Sequence, residues 1–436
     1  MKNLKWLLYS TSLTLITVFL YTFQDTAFAS SEILVSDSVA GVDAHHATIA
    51  TNVGGDSFIV WQESSVGSPD VVKGKVIHTS RMMVSTISPS FKISMLGLSD
   101  IVPDVASDGH NRFIVVWSSK DSSGFYQVKA RLFNANGDAL GSDFVVNDGY
   151  LVNGSPTLPP RPNLDARQTF PSKKTFLGAN FPDVAMNSLG QFVVVWDQWD
   201  GQQQNRYMRK FDRNGSPVSS STRLNTRTTT LAYSGLPDID INDQGDVVVA
   251  WSVDYAGISA IAYRYWNLAV GMPTGDEMLI SLPKVGFHQV RPMVSINAQG
   301  DALIVWSEEQ RDGPRTAIFA RTYSAVSGLW SAVFSPKAYK TQPSRITGLM
   351  LSTGETLLGY SPIVSSNKAI VLEKMNNVPI SIRSGVVTAI QSGYQRRAAL
   401  SLLEATKYNW LVTTWEGAAQ MGDLQSIYCK VIRLKK

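Results

Sequence analysis

Three aspartates stand in one frame. Asp104, Asp183 and Asp238 each follow a proline, and each lies thirteen residues ahead of a tryptophan, at Trp117, Trp196 and Trp251. Carboxylates that meet in a pocket can serve as acid and base on a glycosidic bond, or hold a cation or a polar ligand. The same side chain can instead accept hydrogen bonds from backbone amides where a strand begins, and periodicity itself favours that structural use. Met293 takes the slot ahead of Trp306, so an acidic ring would be partial. A second candidate is the stretch WDQWDG, in which Trp199 and Asp200 open a loop just past Trp196. An exposed Trp beside an Asp can stack on a sugar or anchor a protein partner; packing under a neighbouring segment is the alternative. His45 and His46 are adjacent, but with His78, His110 and His288 they show no metal-ligand spacing. Ser365 and Lys368 match a Ser-x-x-Lys pattern, yet they fall between strands rather than at a helix start. No nucleophile elbow and no phosphate loop is present. The expectation is no catalytic set, no metal and no cofactor, with Asp104, Asp183, Asp238, Trp199 and Asp200 as candidate ligand contacts.

The elements that carry these residues repeat. A run of the VVVW type ends at Trp61, Trp117, Trp196, Trp251, Trp306 and Trp415, and Tyr360 fills the one missing place. The steps are 54–56 residues, except for 79 between Trp117 and Trp196, so one repeat carries an insertion. Six residues before each aromatic stands a turn residue: Gly55, Asn111, Gly190, Gly245, Gly300, Gly354 or Asn409. Gly and Asn are the residues that tolerate the left-handed backbone of a tight hairpin.

Each repeat reads as four short strands rich in Val, Ile, Phe and Tyr, bounded by Gly, Asn and Asp. In the third copy these are PDVAMN, QFVVVWD, NRYMRKFD and SSTRLN. The VVVW run is apolar at every position, which predicts a strand covered on both faces. Four-stranded antiparallel units with two apolar faces need a neighbour on each side. The expected fold is therefore all-β, a seven-bladed β-propeller of four-stranded antiparallel blades. The last repeat, ending in SIYCKVIRLKK, lacks a fourth strand, and SSEILVSDSV near the N-terminus supplies the missing pattern. Residues 32–39 are expected to pair into the last blade and close the ring. Arg131, Arg209, Arg264 and Arg321 recur in the third strands two residues before an aromatic, which suggests a blade-packing role.

Residues 1–29 are laid out as a secretory signal peptide: Lys2 and Lys5, an apolar stretch, then small residues at Ala27 and Ala29. Residues 30–436 would form the single propeller, with the insertion at about 148–180. That insertion is Pro-rich and is either a lid near the channel mouth or a plain surface loop. With 44% apolar and 17% charged residues the chain supports a core. A net charge of +4 over this length suggests no nucleic-acid surface. Cys429 is the sole cysteine, so the fold has no intrachain disulfide, and its alternating surroundings predict a buried packing residue.

The series FVVVW, DG, Arg-x-Phe, NG and GS-x-F-x-VN resembles repeats of exported bacterial proteins, including large calcium-binding adhesin-like chains. It is also distantly similar to the propeller repeats of integrin α-subunits. The resemblance covers residues 30–436. It implies a propeller with surface or extracellular duty and carries over no catalytic residue. The alternating-Asp calcium loop of the integrin type is missing from NDQGD and SDGHN. The function expected is that of an exported binding module showing one face to a glycan, a surface polymer or a protein, outside the cell, on its surface or in a periplasm. Once the signal is removed, the chain is expected to be monomeric and to have no membrane anchor. The alternatives are a polysaccharide hydrolase or lyase using Asp104, Asp183 or Asp238, and a structural envelope protein.

Overall fold

The structure is a computed structural model. It describes residues 33–435 apart from 38, 81–82, 95–98, 123, 149–177, 200–203, 227–235, 256–257, 273–274, 311–315, 336–337, 340–343, 362, 365–366, 369–370, 376–380, 387–393, 405–407 and 419–424. The signal-like segment and most of the insertion lie outside the described residues, as does Asp200.

The described residues form strands and turns, with no helix. Seven antiparallel sheets of four or five strands follow one another along them. They span residues 42–92, 100–145, 179–223, 238–279, 287–339, 344–386 and 394–435, the last completed by Ile33–Leu34. Ile363–Val364 and Asn367–Lys368 make a separate two-stranded ribbon. Within a sheet the first three strands pair in chain order as an antiparallel meander. In the third sheet the order is Ala179–Met186, Phe192–Trp199, Gln204–Phe211 and Thr222–Arg223.

The second strand of each sheet is the apolar run of the repeat. Phe58 to Trp61, Phe113 to Trp117 and Phe192 to Trp196 are almost fully buried, as are Trp251, Trp306, Tyr360 and Trp415. Alternate side chains of these strands enter different clusters. Val194 and Trp196 pack against Ile114, Val116 and Val128 of the second sheet, while Val193 and Val195 pack against Ile239, Val247 and Trp251 of the fourth. A strand covered on both faces has no use for polar alternation, which is why the run is continuously apolar. The indole N–H still needs an acceptor. Trp61 finds Glu63 Oε1 at 2.9 Å and Trp196 finds Gln198 Oε1 at 3.0 Å. No such bond is found at Trp117, Trp251 or Trp415, where Ser119, Val253 or Gly417 stands two residues on, nor at Trp306, although Glu308 stands there.

Consecutive sheets are also tied by the repeating arginines. Arg131, Arg209, Arg264 and Arg321 each reach back to a carbonyl of the preceding sheet's outer edge, at Ile93, Val146, Leu224 and Ile280. Each also bonds a carbonyl of its own outer loop, at Gly141, Ser219, Gly275 and Ser331. The packing role expected for them takes this form.

The last sheet meets the first. Ile33 pairs with Cys429 and Leu34 with Tyr428. The Val35 amide donates to the Ile427 carbonyl at 2.8 Å, and the Ile427 amide donates to Ser36 Oγ at 2.9 Å. Val35, Ala44, Ile49 and Trp61 share one cluster with Val412, Ile427, Cys429 and Val431. Cys429 is buried there, and burial pushes its thiol up to about 12.

The strand-one to strand-two turns differ from expectation in one place. Gly55, Gly190, Gly245, Gly300 and Gly354 all have positive φ. At Gly55 a Cβ would lie 2.4 Å from the Thr79 carbonyl oxygen, so no other residue fits. In the second sheet, however, the left-handed residue is Gly109, not Asn111. Asp108 there caps the turn by accepting from the amides of His110 and Arg112.

Candidate functional site

The first strand of each sheet runs from one face of the molecule to the other, and the second returns. The starts of the first strands therefore share a face with the ends of the second strands, where Trp199 sits. Near those starts, the pairing of strands one and two is interrupted by a bulge in six sheets. The bulges fall at His45/Thr48, Ile101/Asp104, Asn180/Asp183, Val290/Met293, Ser344/Thr347 and Arg396/Ala399. At four of them a non-glycine residue is left-handed: His46 (φ 56), Val102 (φ 50), Phe181 (φ 53) and Arg291 (φ 53). For a β-branched or bulky residue this conformation is strained and persists only where the surroundings hold it. Three of the four precede a proline, which can sit at a bulge because no ladder bond is asked of its nitrogen.

Three of the four are held by the side chain just past the ruler tryptophan of the preceding sheet. Gln62 Oε1 accepts from the Val102 amide at 3.1 Å, Ser118 Oγ from the Phe181 amide at 3.0 Å, and Glu416 Oε1 from the His46 amide at 2.6 Å. The last of these joins the seventh sheet to the first.

Asp104 and Asp183 sit two residues past the left-handed residue of their bulges, and Asp238 opens the first strand of the fourth sheet, whose pairing is regular. Asp104 Oδ2 accepts from the Val184 amide at 3.0 Å, Asp183 Oδ2 from Ile239 at 2.8 Å, and Asp238 Oδ2 from Val294 at 2.7 Å. Thr48 Oγ1 donates to Asp104 Oδ1 at 2.8 Å. The Met293 sulfur, in the same slot, accepts from the Gly348 amide. The amides held by these side chains belong to the next sheet rather than to the residue's own, so the slot links one sheet to its successor. One layer deeper, Asp240 Oδ2 and Ser295 Oγ repeat the link to Ile296 and Met350.

This arrangement gathers carboxyls in a region of poor hydration. Burial raises the Asp183 carboxyl well above the usual range, and the nearby Asp104 and Asp238 charges push it further. Burial raises Asp240 to about 6, against the pull of the Ile296 and Ile241 amides. Asp197 is likewise raised by burial to about 6 although the Arg206 guanidinium lies 3.1 Å away and draws it down.

Trp199 ends its strand opposite Gln204; its side chain and Asp200 lie outside the described residues. Of the candidate contacts, the structure therefore brings Asp104, Asp183 and Asp238 together and leaves Trp199 and Asp200 without a described neighbour.

The same face carries a polar set that the periodic frame does not mark. His45 Nδ1 lies 2.6 Å from His46 Nδ1, and His45 Nε2 lies 3.0 Å from Ser64 Oγ. Ser64 Oγ donates to Asp70 Oδ1 at 2.5 Å, and Ser99 Oγ donates to Asp70 Oδ2 at 3.1 Å. Both histidines are half-buried. In the fifth sheet, Arg291 Nη1 contacts Glu309 Oε1 at 2.7 Å. Lys284 contacts Glu308 at 2.8 Å and lies over the Phe287 ring at 3.8 Å. The adjacent histidines were visible in the sequence, but Ser64 and Asp70 belong to the far end of the next strand and the loop after it. Among the described residues no group of three or more His, Cys, Asp or Glu is placed to hold a metal ion.

No protein-family model and no curated protein matches this chain. Solved structures do. An ulvan lyase of polysaccharide lyase family PL25, bound to -[GlcA(1-4)Rha3S]-, is similar over 92% of this chain and 95% of its own, with a TM-score of 0.59 at 7% identity. The polysaccharide lyase Uly1 covers 92% and 91% with a TM-score of 0.54 at 10% identity. A protein of unknown function from Dyadobacter fermentans covers 94% and 100% with a TM-score of 0.52 at 8% identity. These neighbours are propeller-type folds. The chain has a propeller-type, all-β architecture.

Proposed function

We propose that the chain is an exported, seven-bladed β-propeller, closed by its N-terminal strand, whose bulged face binds an acidic polysaccharide. The observation that carries this reading is the convergence on one face of four left-handed first-strand residues, three of which, His46, Val102 and Phe181, are held by the sheet before. Strain of this kind is characteristic of sites where side chains must be aimed. The side chains so aimed include His46 and Arg291, and Lys284 adds a half-exposed cation over Phe287. Cationic groups beside an aromatic ring suit a polymer with carboxylates or sulfates. The fold-level likeness to two polysaccharide lyases supports a saccharide as the ligand, and the signal-like residues 1–29 support export. Asp104, Asp183 and Asp238 serve in this reading as struts that shape the rim. Trp199 and Asp200 remain proposed contacts.

A second reading is that the chain cleaves the polymer it binds. The His45–His46 set favours it, because a proton acceptor on the ligand face is what elimination or hydrolysis requires. One experiment separates the readings. The chain from residue 30 is applied to an array of acidic and neutral polysaccharides, alongside Trp199→Ala and Arg291→Ala, and the same polymers are followed for chain shortening. Retention of an acidic polymer without shortening supports the binding module; shortening supports the enzyme. No retention of any acidic polymer would refute the proposal, and an unchanged signal in Trp199→Ala would remove that residue from the site.

A further inference from the structure

We propose that a cavity where the second and third sheets meet, on the face opposite the bulges, is a second ligand site that takes a sugar unit bearing a sulfate or carboxylate, the anion held by Arg112 and Arg213. The proposal does not rest on the reading of the bulged face.

The first strands start at the bulged face, so the turns between strands one and two lie at the other. The cavity forms among those turns and the turns between strands three and four. Its volume is about 480 Å³, within the range of roughly 300–1,000 Å³ that small-molecule sites occupy. Asp108, His110 and Arg112 line it from the second sheet, and Ser188, Leu189 and Arg213 from the third.

Arg112 stands in a slot that carries an acid in other sheets. The residue after the turn position is Asp56, Asp246, Asp301 and Glu355 in the first, fourth, fifth and sixth sheets. In the first and fourth, an asparagine four residues earlier donates its side-chain amide to that carboxylate. Asn52 reaches Asp56 Oδ2 and Asn242 reaches Asp246 Oδ2, both at 3.0 Å. The pair therefore serves the turn. In the second sheet both members are changed, to Asp108 and Arg112. They do not pair through their side chains. Asp108 Oδ1 accepts from the amides of His110 and Arg112, at 2.8 and 3.0 Å. Arg112 Nη1 instead donates across the sheet junction to the Arg213 carbonyl at 2.6 Å.

Arg213 is also out of pattern. Its slot holds Ala135, Leu268 and Ala325 in the second, fourth and fifth sheets. A Cβ at Gly190 would lie 3.0 Å from Arg213 Cβ, so the glycine of that turn lets the arginine sit close against its sheet. Among the described residues neither Arg112 nor Arg213 has an acidic partner within ion-pair distance. The N–H groups of Arg213 and those of Arg112 beyond Nη1 are therefore left to a ligand. A guanidinium recognises a sulfate or carboxylate through paired N–H donors. Of the lining residues only Asp108 is acidic; it is 8% exposed, and two amides already occupy its Oδ1.

The rest of the lining says what carries the anion. Leu140 and Leu189 line the same cavity and are 47% and 65% exposed. A bare oxyanion would leave both in water. A pyranose ring offers apolar C–H faces to such walls and hydroxyls to polar ones. Asn111 Oδ1 accepts from the Ala135 amide at 3.2 Å, which leaves its NH2 group to donate to a sugar hydroxyl.

The test is calorimetric titration of the purified protein, at low ionic strength, with glucose 6-sulfate, glucuronate, glucose and sodium sulfate. Saturable binding is expected for an anionic sugar and none for glucose. Sodium sulfate should bind at least about tenfold more weakly than the better anionic sugar, because it covers no leucine. Arg213→Ala and Arg112→Gln should each weaken binding about tenfold or more. Arg213→Lys keeps the charge without the fork and should fall between Arg213→Ala and the wild type. Lys92→Ala removes an exposed cation elsewhere and should leave binding at the wild-type level. Urea unfolding followed by tryptophan fluorescence reports that each variant is folded. Three results would overturn the proposal: no saturable binding of either anionic sugar; sodium sulfate binding as tightly as the sugars, which is an adventitious ion only; or Lys92→Ala losing as much as Arg213→Ala, which is surface charge only. Retention of an acidic polymer that survives Arg291→Ala and is lost in Arg213→Ala would support this site and count against the bulged face.

Discussion

The seam between Val35–Ser36 and the last sheet gives a quantitative test of how firmly the two ends of the chain are joined. The perturbation is the pair of substitutions Val35→Ala and Ser36→Ala. Val35 is 1% exposed, and removing two carbons costs about 0.8 kcal/mol each in lost burial. The residual cavity raises this to about 2–3 kcal/mol. Ser36→Ala leaves the buried Ile427 amide without the hydroxyl that accepts from it at 2.9 Å, a further ~1–3 kcal/mol. The residues are neighbours and will not add perfectly, so the double variant should lose about 4 kcal/mol. The assay is urea unfolding followed by tryptophan fluorescence, read as a change in midpoint or as an early phase that the wild type lacks. Val326→Ala, at a fully exposed side chain, is the control and should stay within about 0.5 kcal/mol. A loss below about 1 kcal/mol in the double variant would refute the seam as a stabilising joint.

Three further outcomes follow from the same geometry. Arg209→Lys keeps the charge but cannot bond both Ser219 and Val146; it should cost about 1–3 kcal/mol in urea unfolding, and no change would remove the arginines as ties between sheets. Gly55→Ala should destabilise by at least about 2 kcal/mol, because φ is 91° and the new carbon would meet the Thr79 carbonyl; a neutral result would mean that this turn relaxes freely. Asp240 has a folded value of about 6 against 3.8 for the free side chain. The stability it contributes is therefore full below 3.8 and lost as pH rises through 6. Linkage sets this at about 3 kcal/mol, and about half of that for a half-buried group. The stability gap between wild type and Asp240→Ala should accordingly narrow by about 1.5 kcal/mol from pH 4 to pH 8, and a gap independent of pH would contradict the raised value.

Much of the architecture was legible because a single residue type marked it. The ruler tryptophans and Tyr360 are buried as their runs require, and the recurring arginines tie sheets together. The pairing of Ile33–Leu34 with the last strand could be read from a missing fourth strand. The site was less legible, for a physical reason. Left-handed backbone usually announces itself through glycine, yet Val102, Phe181 and Arg291 adopt it because partners in the preceding sheet, or the bulge itself, hold them there. The partners of Asp183 and Asp238 lie 56 residues away, in the next repeat. Spacing within one repeat shows that the slot recurs, not which sheet it serves. Gly109 displaced Asn111 as the turn residue because Asp108 caps that turn with its own side chain.

Joining Ser36 to Ile427 builds one sheet from two segments 391 residues apart. On the ribosome, at roughly 5–20 residues per second, the first segment waits about 20–80 s for the second to be made. Throughout that interval Val35, Ala44 and Ile49 lack the Val412, Ile427, Cys429 and Val431 half of their cluster. Until then part of this cluster stays uncovered, so a depleted chaperone pool should lower the folded yield of this protein.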